Sequence, residues 1–180
     1  MDQQIFFWLY NLANKNQFLD WLLIFLAKYL IFNWVVILLG ALLLILFLER
    51  NWRRRFYFSS LTIISVILSR GIMTEIIRYL HYRPRPFETL DIESLINHAA
   101  TASFPSGHMA FIIPIALVFF LMRRRLGVWF LLGSILIGLA RVVVGVHWPS
   151  DILGGFIIGV ISFGIVYYLL RLKGLPQKIS

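Results

Sequence analysis

The stretch ILGGFIIGVISFGIVYYLL, residues 152–170, contains nineteen consecutive residues without a charged side chain. An α-helix needs about 17–25 predominantly apolar residues to cross the roughly 30 Å hydrocarbon core of a bilayer. The stretch is followed directly by Arg171, and basic residues flank spanning helices on their cytoplasmic side. Residues 152–170 therefore predict a membrane-spanning helix.

Four other apolar runs are long enough, or nearly long enough, to span as well: 33–48, 56–80, 105–122 and 126–146. Residues 18–32 form a shorter run that contains Lys28, so this segment either spans, tilts or lies at the interface. The predicted fold class is all-α, a polytopic membrane helix bundle of about six transmembrane helices. Residues 1–180 are predicted to form a single domain, with an interfacial or first spanning segment at 1–32 and the main bundle at 33–171.

The composition supports this class and excludes others. Of the 180 residues, 60% are hydrophobic and 14% are charged, whereas soluble domains have about 45–50% and about 25%. The absence of cysteine excludes a disulfide scaffold, and the hydrophobicity excludes a disordered chain. A net charge of +9 would suit nucleic acid, but no segment is long and polar enough to form a basic soluble face. We therefore predict contact with membrane lipids and none with nucleic acid.

Basic residues set the expected topology, because they cluster beside long apolar runs at 50–55, 123–125 and 171–178. Such clusters mark the cytoplasmic side of a membrane. If all three lie inside, the loop 81–104 and the segment around His147 lie on the outer face. The same topology places four tryptophans at the membrane interfaces: Trp34 and Trp148 outside, Trp52 and Trp129 inside.

Three polar segments meet on this outer face: RYLHYRPRP at 78–86, SFPSGH at 103–108 and ARVVVGVHWPSD at 140–151. Arginines here run against the positive-inside trend, so they indicate a functional site. No metal site is predicted, since the four histidines form no helical ligand pair and cysteine is absent. His81 and His98 lie in the polar loop and are expected to be bystanders.

The segment at 105–108 has the features of an anion site. Pro105 suits the first turn of a helix, where its missing N–H costs nothing. Ser106, Gly107 and His108 would then present free backbone N–H groups at the positive end of the helix dipole. For Pro-Ser-Gly alone, a plain turn before a helix is the better explanation, whereas the additional imidazole of His108 and the nearby arginines favour phosphate.

Two histidines and one carboxylate could divide the work of acid and nucleophile. His147 and Asp151 are four residues apart, so the carboxylate can bond one imidazole nitrogen and leave the other free to attack. His108 then offers a second imidazole as general acid. The structural alternative is an interfacial histidine and an acid at the start of a helix.

Arginine forks suit the charge that a transferring phosphoryl group spreads over its oxygens. The candidates are Arg78, Arg85 and Arg141, although each alone could be a side chain that extends to the membrane interface. Arg83 competes with Arg85, and the spacing of seven from Arg78 favours Arg85. Arg70, Glu75 and Arg78 share one helix and would also fit a transport path, but a Glu75–Arg78 ion pair is the simpler explanation.

The three segments resemble the signature of the type 2 phosphatidic acid phosphatase (lipid phosphate phosphatase) family. That signature runs Lys-x6-Arg-Pro, Pro-Ser-Gly-His and Ser-Arg-x5-His-x3-Asp, and its counterparts here lie at 78–86, 105–108 and 140–151. Two positions depart from it. Arg78 replaces lysine, which changes the shape of the cation, and Ala140 replaces serine, which removes one hydroxyl contact.

The resemblance implies a membrane lipid phosphatase without metal or cofactor. It assigns His147 as the nucleophile that forms a phosphohistidine, Asp151 as the group that orients it and His108 as the acid for the leaving oxygen. The phosphate would be held by five residues: Arg78, Arg85, Ser106, Gly107 and Arg141. Bacterial relatives of this kind cleave undecaprenyl diphosphate to the monophosphate and recycle the cell-wall carrier.

Several alternatives stay open from the sequence. Within the family, the substrate could be phosphatidylglycerophosphate or phosphatidic acid. Outside it, the chain could be a transporter or a lipid-binding protein without catalysis. The expected location is the cell membrane, with the active site on the outer face. The oligomeric state is left undetermined.

Overall fold

A computed structural model of the chain describes residues 1–90 and 92–172, and these residues form helices and connecting loops without a β-strand. Two segments are π-helical, at Phe25–Leu30 and Ile67–Met73, and each continues an α-helix. The α-helices are α1 (Asp2–Tyr10), α2 (Gln17–Ile24), α3 (Ile31–Leu48), α4 (Trp52–Val66), α5 (Thr74–Leu80), α6 (Pro86–Thr89), α7 (Gly107–Met122), α8 (Arg124–Val143) and α9 (Pro149–Leu172).

Several of these helices are long and apolar enough to cross a membrane. Three qualify singly, namely Trp52–Leu80, Arg124–Val143 and Pro149–Leu172, and the bent pair Gln17–Leu30 and Asn33–Leu48 qualifies as one further span. Helix α7 is equally apolar but has only 16 residues. The all-α membrane bundle predicted from the sequence is thus confirmed, whereas the number of six spans stays a prediction.

Helix α7 lies at the centre of the bundle, packed against α4, α8 and α9. Its burial explains how a short helix is accommodated, because its neighbours rather than lipid surround it. Within this fully described helix, His108 is the one residue with an exposed side chain. The main core cluster includes Ile112, Phe119, Tyr57 and Leu61, all at most 1% exposed.

The outer surface of the bundle is apolar. Large side chains such as Leu43, Phe47, Ile63, Leu153 and Leu169 are more than half exposed. A soluble monomer rarely shows contiguous apolar surface of this kind, because such surface is unfavourable in water. In a bilayer the same side chains contact lipid tails, which supports the membrane assignment.

Two tryptophans were expected at the outer interface, and the structure shows both packed against other helices. Trp34 packs on the middle of α8, where it donates to the hydroxyl of Ser134 at 3.4 Å and where a Cβ on Gly133 would overlap its ring. Trp148 is 8% exposed and packs against Phe6. An indole ring fills a gap between helices as readily as it occupies a membrane interface, and the membrane depth of both residues stays a prediction.

The start of α7 also differs from the sequence prediction. Pro105 precedes the helix, and Ser106 takes the N-cap position with an extended backbone. The N–H of Ser106 donates to the carbonyl oxygen of Asp151 at 3.0 Å, so it does not point outward as an anion donor. Pro149 begins α9. The Ser106–Asp151 bond fixes the starts of α7 and α9 against each other.

Gly155 allows this close approach. A Cβ at position 155 would lie 2.4 Å from the carbonyl oxygen of Ser106 and 2.8 Å from the Cβ of Met109. Backbone atoms on both sides leave no flexible group that could move away. Any larger residue at 155 must therefore push the start of α7 away from α9.

We expect Gly155→Ala to destabilise the protein by about 1–3 kcal/mol, the usual cost of forcing extra atoms into a packed interface. Gly164→Ala is the matched control on the same helix, because nothing lies within 4 Å of that position. Its greater helix propensity should stabilise by up to about 1 kcal/mol. Thermal unfolding in detergent measures both variants, and a Gly155→Ala midpoint equal to that of the wild type would contradict the packing described.

Candidate active site

The three polar segments converge on one cavity of about 270 Å³. Its polar lining residues are Arg70, Arg78, Arg85, His98, Thr101, His108 and His147. Gly107 and the apolar residues Val35, Phe111 and Ile112 complete the lining. A space lined by both cations and apolar side chains suits an amphipathic anion such as a lipid phosphate.

The ring of His147 is held in one orientation by its two neighbours. Nδ1 lies 3.2 Å from Oδ2 of Asp151, and Nε2 lies 3.4 Å from Nη1 of Arg85. A carboxylate only accepts and a guanidinium only donates hydrogen bonds. The tautomer that satisfies both therefore carries its proton on Nδ1 and its lone pair on Nε2. That lone pair lies on the side of the ring that faces Arg85 and the cavity.

Burial keeps His147 neutral. The side chain is 1% exposed, and this burial, together with the positive charges of Arg141 and Arg85, lowers the pKa of His147 well below its usual value. A neutral imidazole at physiological pH has the lone pair that nucleophilic attack requires.

Asp151 is fully buried, and hydrogen bonds hold both oxygens of its carboxylate. Besides His147, Oδ2 accepts the backbone N–H of Trp148 at 2.8 Å. Its other oxygen, Oδ1, accepts from Nη1 of Arg83 at 2.9 Å. A buried carboxylate requires such partners, since an unpaired buried charge is strongly unfavourable. The orientation that the sequence predicted for His147 and Asp151 therefore matches the geometry.

Arg83 does not compete with Arg85 for the cavity. Its guanidinium stacks over the ring of Trp148, with 5.0 Å between Cζ and the ring centre, and bonds Asp151 and Ser150. Arg85 instead lines the cavity. The spacing of seven from Arg78 thus predicted the arginine that lines the cavity, whereas Arg83 bonds Asp151.

The N-terminal helix α1 contributes Asp2, which was not predicted as a site residue. Oδ2 of Asp2 accepts from Nη2 of Arg83 at 2.5 Å and from the hydroxyl of Ser150 at 2.6 Å, and Oδ1 accepts the N–H of Ser150 at 3.0 Å. Burial raises the pKa of Asp2, but the hydrogen bonds from Ser150 and Arg83 outweigh it and hold that pKa below its usual value. Asp2 is therefore ionised and neutralises Arg83. These partners are 81 and 148 residues away along the chain, so no local pattern reveals them.

Arg85 is 3% exposed and spans from the nucleophile to the loop 92–106. It donates to the carbonyl of Val146 at 2.8 Å and to the hydroxyl of Thr101 at 3.1 Å, while its Nε has no hydrogen-bond partner among the described residues. Burial and the nearby charge of Arg78 lower the pKa of Arg85. Its charged form is consequently destabilised, and an anion in the cavity would relieve this.

Arg78 and Arg141 flank the site from two helices. Arg78 donates to the carbonyl of Pro105 at 3.0 Å and lies 3.8 Å from Oε1 of Glu75, the pair that the sequence predicted. Arg141 is 3% exposed, donates to the carbonyl of Ala27 at 3.1 Å and does not itself line the cavity. Within residues 1–90 and 92–172, Nε of Arg78 and both Nε and Nη2 of Arg141 are buried without a partner.

His98 lies closer to the site than the sequence indicated. Its ring centre is 6.5 Å from that of His147, and it lines the cavity, whereas its expected lack of a role in the chemistry stays a prediction. The loop that carries it folds back onto the turn between α8 and α9, where the N–H of Leu95 donates to the carbonyl of Val144 at 3.0 Å. Gly145 gives that turn its shape with a φ of +88°, which favours glycine. His81 is exposed and does not line the cavity.

Comparisons with known proteins agree with these motifs. A sequence model of the PAP2 superfamily matches residues 59–174, which is more than half of the chain and includes all three cavity segments. The undecaprenyl-diphosphatase BcrC of Bacillus subtilis is 29% identical over 168 residues, covering 93% of this chain and 83% of that protein. The phosphatidylglycerophosphatase B of Bacillus subtilis is 28% identical over 157 residues, covering 81% of this chain and 68% of that protein.

A solved structure shares the fold over nearly the full length. The crystal structure of Aquifex aeolicus LpxE superimposes with a TM-score of 0.73 at 27% identity, covering 93% of this chain and 94% of that chain. The resemblance found in the three motifs is thereby confirmed. With its cavity built from those motifs and its match to the superfamily model over residues 59–174, the chain belongs to the PAP2 superfamily.

Proposed function

We propose that this protein is a lipid phosphatase that hydrolyses undecaprenyl diphosphate to undecaprenyl phosphate and inorganic phosphate. The observation that carries the proposal is the neutral His147, whose Nε2 faces a cavity lined by arginines and by apolar side chains. The similarity to BcrC, named an undecaprenyl-diphosphatase, supports this substrate. The basic clusters near 50–55 and 123–125 support a cell-membrane protein whose active site faces outward.

In the first step, the lone pair on Nε2 of His147 attacks the terminal phosphorus. The bond from that phosphorus to the bridging oxygen breaks, and the bridging oxygen takes a proton from His108 and leaves as the lipid monophosphate. Asp151 stabilises the positive charge that develops on the ring of His147 through its contact with Nδ1.

In the second step, water attacks the phosphohistidine. His108, now neutral, accepts a proton from this water, and the N–P bond breaks to release inorganic phosphate and neutral His147. Throughout both steps, Arg85 and Arg78 bind the equatorial oxygens of the phosphoryl group. The partnerless N–H groups of Arg141 stabilise its negative charge without lining the cavity. The backbone N–H groups of Gly107 and His108, in the first turn of α7, add further donors.

A second substrate is supported by a specific comparison. The phosphatidylglycerophosphatase B relative acts, by its name, on phosphatidylglycerophosphate. The same His147 chemistry would serve that substrate, because only the leaving group differs. Phosphatidylglycerophosphate is therefore the alternative that the assay must include.

The first test measures phosphate release in detergent with a chelator present. We expect faster release from undecaprenyl diphosphate than from phosphatidylglycerophosphate, and no effect of the chelator, since the proposed steps use side chains only. His147→Ala should lower kcat by at least about 1,000-fold, as removal of a covalent nucleophile does. His81→Ala is the matched control, because this exposed histidine does not line the cavity.

Four results of this assay would contradict parts of the proposal. Preference for the glycerolipid would keep the chemistry and change the substrate. Loss of activity with the chelator would contradict a metal-independent reaction. Full activity of His147→Ala would exclude the nucleophile, and inactivity of folded wild-type protein on both substrates would favour a transporter or a binding protein.

A second test concerns Asp2, which we assign as a positioning residue. Asp2→Asn keeps the shape but removes the charge that holds Arg83, so Asp151 and His147 lose part of their support. We expect kcat to fall roughly 10- to 100-fold, the range for small misplacements of a reacting group, with KM little changed. The control is Asp20→Asn, which removes another N-terminal carboxylate, one that bonds the N–H of Asn14 and not Arg83.

The KM–kcat split distinguishes positioning from general stability. If Asp2→Asn raises KM without a change in kcat, or has no effect, Asp2 does not act through His147. Phosphate release at saturating and limiting substrate gives both constants.

A further inference from the structure

Arg70 lines the catalytic cavity, although it lies outside all three motifs. It is carried by the π-helical segment Ile67–Met73, eight residues before Arg78 in one continuous helix, Trp52–Leu80. In a regular α-helix, residues eight apart differ by roughly 80° in direction. The wider turns of a π-helix reduce this difference, and such segments are frequent at functional sites. The interruption thus brings Arg70 and Arg78 to the same cavity.

The guanidinium of Arg70 lies against the start of α7. A Cβ at Gly107 would come within 2.8 Å of Nε and 3.3 Å of Cζ of Arg70. Glycine at this position therefore makes room for the cation beside the first turn of α7, next to His108. Arg70 is about 38% exposed, so its charge is accessible from the cavity.

Arg70 lies beside Gly107, the residue that directly precedes the proposed acid His108. The ring of His147 is instead contacted by Asp151 and Arg85. In the proposed reaction, His108 protonates the leaving oxygen, so we assign Arg70 to the leaving-group side of the cavity.

The positive charges of Arg70 and Arg78 are only partly neutralised, so a second anion can bind beside Arg70. Arg70 bonds Oε1 of Glu75, and the same oxygen lies 3.8 Å from Nη1 of Arg78. One carboxylate is thus shared between two guanidinium groups. Glu75 is about half exposed, so an incoming phosphate can replace it as the partner of Arg70.

Two apolar lining residues, Phe111 and Ile112, lie one turn further along α7, and Val35 of α3 is the third. A lipid diphosphate has one group for each of these features: the terminal phosphate for His147, the second phosphate for Arg70 and the hydrocarbon chain for the apolar residues. A lipid monophosphate has no group for the middle position.

From this arrangement we infer that Arg70 forms a subsite for the second phosphate of a lipid diphosphate, the phosphate that stays on the lipid. This inference rests on the proposed function and deepens it. Arg70 stabilises the negative charge that the leaving lipid phosphate gains when the bond between the terminal phosphorus and the bridging oxygen breaks. It thereby makes the enzyme prefer diphosphates to monophosphates.

The test compares kcat/KM for undecaprenyl diphosphate with kcat/KM for phosphatidic acid, in the wild type and in Arg70→Gln. We expect the ratio of the two values to fall about 10- to 100-fold, the range for loss of one charge-assisted contact to phosphate. Arg50→Gln is the matched control, because this exposed arginine is distant from the cavity in sequence and does not line it. Its ratio should equal that of the wild type.

Glu75→Gln separates a phosphate subsite from a simple ion pair. This variant breaks the pair but keeps the cation, so the ratio should stay or rise. A ratio that falls as far as in Arg70→Gln would overturn the inference, since it would mean that the pair itself matters. An unchanged ratio in Arg70→Gln would overturn it too, while the proposed function would stand.

A measurement on the wild type covers the case in which Arg70→Gln fails to fold. Methylenediphosphonate, a non-hydrolysable diphosphate, should compete with substrate at least 10-fold more tightly than inorganic phosphate. Equal inhibition by the two would overturn the inference. Wild-type protein that hydrolyses phosphatidic acid but not the diphosphate would overturn both this inference and the proposed substrate, whereas inactivity on both lipids would also contradict the phosphatase itself.

Discussion

The buried carboxylate of Asp151 is the contact on which the rest of the site depends. One of its oxygens orients His147, the other holds Arg83, and its backbone carbonyl accepts the N–H of Ser106. Two distant segments of the chain and the turn before α9 are thereby joined at one residue. Because a buried carboxylate is stable only when it is fully partnered, the geometry around His147 and the packing of α7 on α9 are parts of the same constraint.

The second feature of the site is a cluster of buried arginines with too few hydrogen-bond acceptors. Partnerless N–H groups are present on Arg78, Arg85 and Arg141 among the described residues, and each such group typically costs about 1–3 kcal/mol. A protein keeps this arrangement where an anion completes it, as phosphate does with its several acceptor oxygens. Donors fixed in advance also require no rearrangement during the reaction, which is the main source of electrostatic catalysis. Stability is thus lowered locally in favour of binding and turnover.

The sequence predicted the fold class and the three segments of the site because both depend on local patterns. Long uncharged runs indicate spanning helices, and the spacings of Arg78 to Arg85 and of His147 to Asp151 reflect local geometry. The contributions of Asp2 and Arg83 were not predictable, since they depend on a contact across the whole chain. The tertiary position of Trp34, between α3 and α8, was inaccessible for the same reason.

The proposed mechanism requires that His147 becomes covalently phosphorylated during turnover. The most direct measurement is a rapid acid-free quench with substrate labelled in its terminal phosphate, followed by peptide mapping of the protein-bound label. We expect a label that is lost in acid, survives in alkali and maps to the peptide containing His147. Turnover without any bound label in the pre-steady state, or a label on His108, would contradict a phosphohistidine at His147.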